Sequence, residues 1–168
     1  MKKILPMLIA GFGAAVLSIV PILKGFSCCL LIPFASMMSL FLDIRVNKNL
    51  DRIRISKAVW FGFLTGFFAT IFFVSFDLII TFITKTNDLI ESLPQSEMII
   101  NQMNLGDLAK EPMKLMRSMA DEIKANGFSL LYAFLIFFSN FITNSIFGII
   151  GGLVGMGILN KKRENISE

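Results

Sequence analysis

Residues 58–83 read AVWFGFLTGFFATIFFVSFDLIITFI, and the single charged side chain in that run is Asp77. A helix of this length rises about 39 Å, enough to cross the hydrocarbon core of a bilayer. Lipid offers no partner for a backbone N–H or C=O, so such a run can only be helical there. Working outward, three more apolar stretches appear at 4–23, 26–42 and 129–159. Four crossings take up most of the 168 residues and leave room for one transmembrane domain, 1–168, with no second. The composition agrees: 55% apolar residues, 18 Phe and a mean hydropathy of +0.73. The expected fold is all-α, an integral membrane four-helix bundle made of two helical hairpins. An outer amphipathic helical insertion, 84–128, separates helices 3 and 4.

The charges give that bundle a direction. Lys2 and Lys3 precede the first span, and Arg45, Lys48, Arg52, Arg54 and Lys57 follow the second against only Asp43 and Asp51. Lys161, Lys162 and Arg163 follow the fourth. Lys and Arg in short loops mark the cytoplasmic side, so both termini and the basic loop are expected there. Trp60 at the start of the third span and Tyr132 near the start of the fourth suit interfacial anchors. The net charge of +4 sits beside apolar spans, where it meets an anionic leaflet. No basic stretch is interleaved with exposed aromatics, so nucleic acid is not an expected partner. Lys2, Lys3, an apolar run and Cys28 resemble a lipoprotein leader. Gly25 and Phe26 are poor cleavage-site residues, however, and Lys24 interrupts, so a retained span is expected.

The chain has no His, which removes Ser-His and Cys-His catalysis and imidazole metal ligation. Cys28 and Cys29 are adjacent, neither a C-x-x-C redox pair nor a spaced metal site, and are expected to fill core space. Nothing points to an enzyme, a metal or a cofactor.

In the insertion, Asp88–Leu93 is expected to extend the third helix until Pro94 stops it, and Ser96 to cap a short helix through Met103. A turn at 104–107 leads to a helix that starts at Glu111-Pro112 and stops at Asn126-Gly127. Met113, Met116, Met119 and Ile123 recur on one face of it, with Lys114, Arg117, Asp121 and Lys124 largely opposite. That soft Met-rich face lies on the outer membrane surface or caps the bundle, docks a partner or an apolar ligand, or belongs to a freely solvated segment.

Helices in lipid associate through small residues and interhelical hydrogen bonds. Ala10, Gly11, Ala14, Ala15 and Ser18 supply such a face on the first span. Gly62, Thr65, Gly66, Ala69 and Thr70 do so on the third, and Asn140, Thr143, Asn144, Gly148, Gly151, Gly152 and Gly155 on the fourth. The segments Ala10–Ala14 and Thr65–Ala69 are similar enough to suggest an internal repeat. Whole-turn spacing places Asp77 on the Gly66–Thr70 face, pointing inward. Asp77 lies as far from Ala58 as Asn140 lies from Leu159, so the two are expected at one height. A polar cluster of Asp77, Asn140, Thr143 and Asn144 with Lys24 is thus the candidate site, whether structural, a ligand or ion site, or a partner contact, because a charge within a span needs a partner.

The Phe26-Ser27-Cys28-Cys29 turn, the basic loop before Gly62 and Gly66, the long insertion and the glycine-rich exit Gly148–Gly155 resemble bacterial families of four-span membrane proteins catalogued as domains of unknown function. The resemblance implies a bacterial inner membrane and carries over no functional residues. The leading expectation is a non-catalytic binding or accessory subunit whose partners are the bilayer and another membrane protein or a second copy of itself. A small oligomeric transporter or channel is the alternative. A quinone-linked thiol oxidoreductase is disfavoured, since such enzymes need spaced cysteine pairs.

Overall fold

The computed structural model describes residues 4–20, 25, 27–47, 52–102 and 106–167, and no strand occurs among them. Six α-helices follow in order: α1 (Leu5–Ser18), α2 (Ile32–Asn47), α3 (Ile55–Thr84), α4 (Asp88–Gln102), α5 (Gly106–Asn126) and α6 (Leu130–Ser167). A π-helical turn, Ser27–Leu31, feeds α2. Among the described residues three stretches are long and apolar enough to cross a membrane: Cys29–Asn47, Ile55–Thr84 and Leu130–Lys162. The expected first crossing is shorter than foreseen. Its helix has 14 residues, about 21 Å of rise, where a crossing needs about 20 residues. After Ser18 the N–H groups of Ile19 and Val20 bond back three residues, and 21–24 lie outside the described residues.

Each boundary has a local cause. Pro6 opens α1, where its missing N–H costs nothing. Lys85, with φ 55°, ends α3 in a left-handed residue whose N–H returns to the Thr81 carbonyl at 2.8 Å. Gly127, with φ 76°, does the same for α5 through Ile123, as the Asn126-Gly127 stop predicts. The insertion corrects four expectations. A break at Lys85–Asn87 separates α3 from α4, and the Asn87 Oδ1 caps α4 by accepting the Ile90 N–H at 3.1 Å. Pro94 does not end α4, because the loss of one ladder bond leaves the rest intact. Ser96 therefore sits inside the helix, bonded to the Ser92 carbonyl, and Pro112 likewise lies inside α5, which begins at Gly106.

The chain divides into two compact units, Met1–Ser75 with Phe137–Glu168, and Phe76–Ile136. In the first unit Met7 shares an apolar cluster with Leu40, Ala58 and Phe61, while Ala10 and Ala14 share another with Ile32, Ala35 and Ala69. The tightest contacts join α3 to α6. A Cβ built on Gly62 would collide with the Gly148 carbonyl, and one on Gly66 with the Asn144 carbonyl. One on Gly152 would strike the Ala58 carbonyl. As residue numbers rise along α3 they fall along α6, so the two backbones run in opposite senses at van der Waals contact. Gly151 and Gly155 meet Pro33 and Met37 of α2 in the same way. Gly11 of α1 rests on the Thr65–Ala69 stretch, so the two similar segments are neighbours.

In the second unit α4 and α5 pack together and share the Arg117–Glu97 ion pair at 2.8 Å. Met119, Ile123 and Tyr132 form its buried core with Leu78, Leu89, Ile90, Met116 and Ile136 around them.

Gly148→Val should lower the thermal midpoint in detergent sharply, by the equivalent of about 1–3 kcal/mol or more, because main chain cannot yield as a side chain does. Gly157→Ala, at a position with nothing within 4 Å, should be neutral or stabilising. Equal midpoints for the two variants would contradict the α3–α6 contact.

Candidate functional site

Polar side chains in the apolar helices gather at three places. The first is the α3–α6 seam. Thr70 is fully buried, and its hydroxyl is shared between the Gly66 carbonyl of its own helix (3.0 Å) and the Asn140 carbonyl of α6 (3.2 Å). The same oxygen accepts a hydrogen bond from Asn144 Nδ2 at 3.0 Å. One threonine thus links two turns of α6, and only the glycine contacts beside it allow so short a reach. Phe63 and Phe67 meet Phe141 edge-on along this seam, and Phe137 stacks on Phe141.

The second place lies where α2, α3 and α6 end near the basic connection. Asp43, 2% exposed, belongs to α2 rather than to a loop. Its Oδ1 accepts a bond from Asn47 Nδ2 at 2.6 Å, and its Oδ2 faces the Lys57 ammonium at 2.5 Å. Lys57 also lies 5.4 Å from the centre of the Phe61 ring. Close by, the Asn160 amide clamps Ile53: Oδ1 accepts the Ile53 N–H at 3.0 Å and Nδ2 donates to its carbonyl at 3.1 Å. A carboxylate this deep is stable only with such partners, since an uncompensated buried charge is very costly.

The third place is in the second unit. Asp77, half-buried, accepts a hydrogen bond from the Tyr132 hydroxyl at 2.9 Å through Oδ2. Ser129 caps α6 through the Tyr132 N–H at 3.5 Å. Asn87, 9% exposed, caps α4 with its oxygen, while its Nδ2 has no hydrogen-bond partner among the described residues.

The expected cluster is thus distributed. Thr70, Asn140 and Asn144 come together, with Asn140 contributing its main-chain carbonyl. Thr143 is half-buried and takes no part in these bonds. Asp77 belongs to the second unit, where it accepts the Tyr132 hydroxyl. Lys24 lies outside the described residues. The expected docking face is covered from within: Met113, Met119 and Ile123 are 8%, 5% and 0% exposed, and Met116 packs beside them. The face that α5 leaves open carries Lys114, Arg117, Asp121 and Lys124. Cys29 is exposed rather than core-filling. Among the described residues no cluster of His, Cys, Asp and Glu could hold a metal. Sequence reasoning missed the Asp43–Lys57 pair and the Asn160 clamp. The available signal was one acid and one Asn at the ends of apolar runs, near a connection rich in donors.

Comparison with protein families, with curated proteins and with solved structures gives no match.

Removing Lys57 should cost far more than removing both charges. Lys57→Met leaves the Asp43 carboxylate buried, whereas Asp43→Asn with Lys57→Met restores most of the loss. A double-mutant cycle on unfolding should give a coupling of about 1–3 kcal/mol; a coupling near zero would show the pair to be idle. Thr70→Val should cost about 0.6–1.7 kcal/mol, the range of interhelical hydrogen bonds in lipid.

Proposed function

We propose that the protein is a four-helix integral membrane protein, two hairpins with an outer helical insertion, that acts by binding and serves as a non-catalytic accessory subunit in a bacterial inner membrane. The observation that carries this reading is how the polar groups of the long helices are used. Thr70, Asn144, Asp43, Lys57 and Asn160 are each engaged in fastening one helix or its connection to another. A transport path or a reaction centre needs polar groups directed at a substrate, and these five are directed at the fold. The Asp77–Tyr132 bond gives the single charge of residues 58–83 a structural occupation as well. Outward, Ile79, Ile80, Ile142, Ile146, Ile150 and Val154 are all more than 40% exposed, as suits helices solvated by acyl chains.

In this arrangement the basic ends face the cytoplasm and the α4–α5 insertion lies on the outer side of the membrane. A partner would then meet the charged face of α5 rather than its methionines. A single cysteine placed at Lys48, in a Cys28→Ser, Cys29→Ser background, should react with an impermeant maleimide only after permeabilisation. One at Asp121 should react in intact cells; the reverse pattern would invert the topology. Copurification of the untagged neighbours from native membranes in mild detergent tests the accessory role. The charge-reversing triple substitution Lys114→Glu, Arg117→Glu and Lys124→Glu should release the partner. A chain that purifies alone under these conditions refutes that role.

A further inference from the structure

The basic end of the first unit combines two features that differ in polarity and adjoin in space. Asn160 fastens Ile53 with two hydrogen bonds, so residues 107 positions apart are held side by side. Arg52 and Arg54 flank Ile53, and Lys161 and Lys162 follow Asn160; all four are exposed. The clamp therefore brings cations of two separate segments to one end of the unit and fixes Ile53 between two of them. Asp43 does not neutralise these cations, because its carboxylate is buried and occupied by Lys57 and Asn47. Directly beside the cations the surface turns apolar. Ile55, next to Arg54, is 64% exposed; Ile158, one turn before Lys161 and Lys162, is 53% exposed.

We propose that Arg54, Lys161 and Lys162 form a headgroup site for an acidic phospholipid, whose acyl chains lie along Ile55 and Ile158. The chemistry decides the partner. Fixed cations recognise a phosphate, and exposed apolar side chains next to them select an amphiphile over a soluble anion. Lys161 and Lys162 supply compact charges, while Arg54 can grip two phosphate oxygens at once. Asn160 acts as a positioning residue, because it touches the loop and not the lipid.

The site rests on the membrane reading above, and its test separates the two. The full-length chain is placed in nanodiscs of phosphatidylcholine with increasing phosphatidylglycerol, and bound lipid is counted by native mass spectrometry. Phosphatidylglycerol should be retained in preference to phosphatidylcholine, with the preference falling as salt rises. Each Lys or Arg replaced by Gln should weaken retention about fivefold, and Arg54→Gln, Lys161→Gln, Lys162→Gln together should abolish the preference. Asn160→Leu keeps every charge and should still lose most of the preference while the α3–α6 seam, reported by the Phe63 and Phe141 environment in methyl-aromatic NMR, stays formed. Lys85→Gln with Lys124→Gln, in the other unit, should change nothing. Equal retention of the two lipids, or an unchanged preference in the triple variant, overturns the site while leaving the membrane reading intact. Competition by glycerol phosphate at concentrations that match the lipid overturns it in favour of a soluble anion. A chain that stays dissolved without detergent defeats the membrane reading itself.

Discussion

The carbonyl of Gly62 and the backbone of Gly148 touch, and the rest of the first unit is arranged around that contact. Acyl chains are as apolar as leucine, so helices in lipid gain little from hiding hydrophobic surface against each other. Dispersion and hydrogen bonding must do the work instead, and both fall steeply with distance. Three glycines on α6, facing Gly62, Gly66, Ala58 and Pro33, remove the side chains that would hold the backbones apart. Once the axes are that close, Thr70 can reach the Asn140 carbonyl and accept from Asn144. Bulk is displaced to the flanks, where Phe63, Phe67, Phe137 and Phe141 close over the seam.

Hydropathy made the long helices legible, because a run such as 58–83 has no other stable form in a bilayer. Register was another matter. Counting from the ends of the apolar runs put Asp77 level with Asn140, but the ends are poor markers: α3 begins at Ile55 and α6 continues to Ser167. The glycines were the better ruler. Matching Gly62 with Gly148 and Gly66 with Asn144 brings Thr70 to Asn140, two turns short of Asp77. The same count leads from Asp77 to the neighbourhood of Tyr132, the residue that holds it. Small residues thus carried positional information that average hydropathy discards.

Two other readings failed for reasons of the same kind. Asp43 read as the start of a loop because a lone carboxylate is expensive in a helix facing lipid; Lys57, on the far side of the connection, supplies what the local sequence lacks. In α5 the spacing of Met113, Met116, Met119 and Ile123 correctly marked the face that seeks cover. Periodicity says which side of a helix is apolar and nothing about its occupant, which here is Tyr132 with Leu78, Leu89 and Ile90. The proline readings erred differently. Pro94 and Pro112 each remove one donor, and a helix already several residues long can lose one bond and continue.

A uniformly apolar helix surface is indifferent to sliding along its own axis, since one isoleucine suits lipid as well as the next. Polar fasteners are what fix the depth. Asp43 of α2 and Lys57 of α3 close the connection between those helices, and Asn160 of α6 seizes Ile53 within it. Three helices are thereby pinned at a single level. The pinning groups satisfy one another, so the end is rigid without adding net charge to the interior, while Arg54, Lys161 and Lys162 keep theirs at the surface. An ordinary salt bridge would fix two elements and neutralise both. An amide clamp fixes two elements and neutralises neither, which is why the basic character of this end survives its own consolidation.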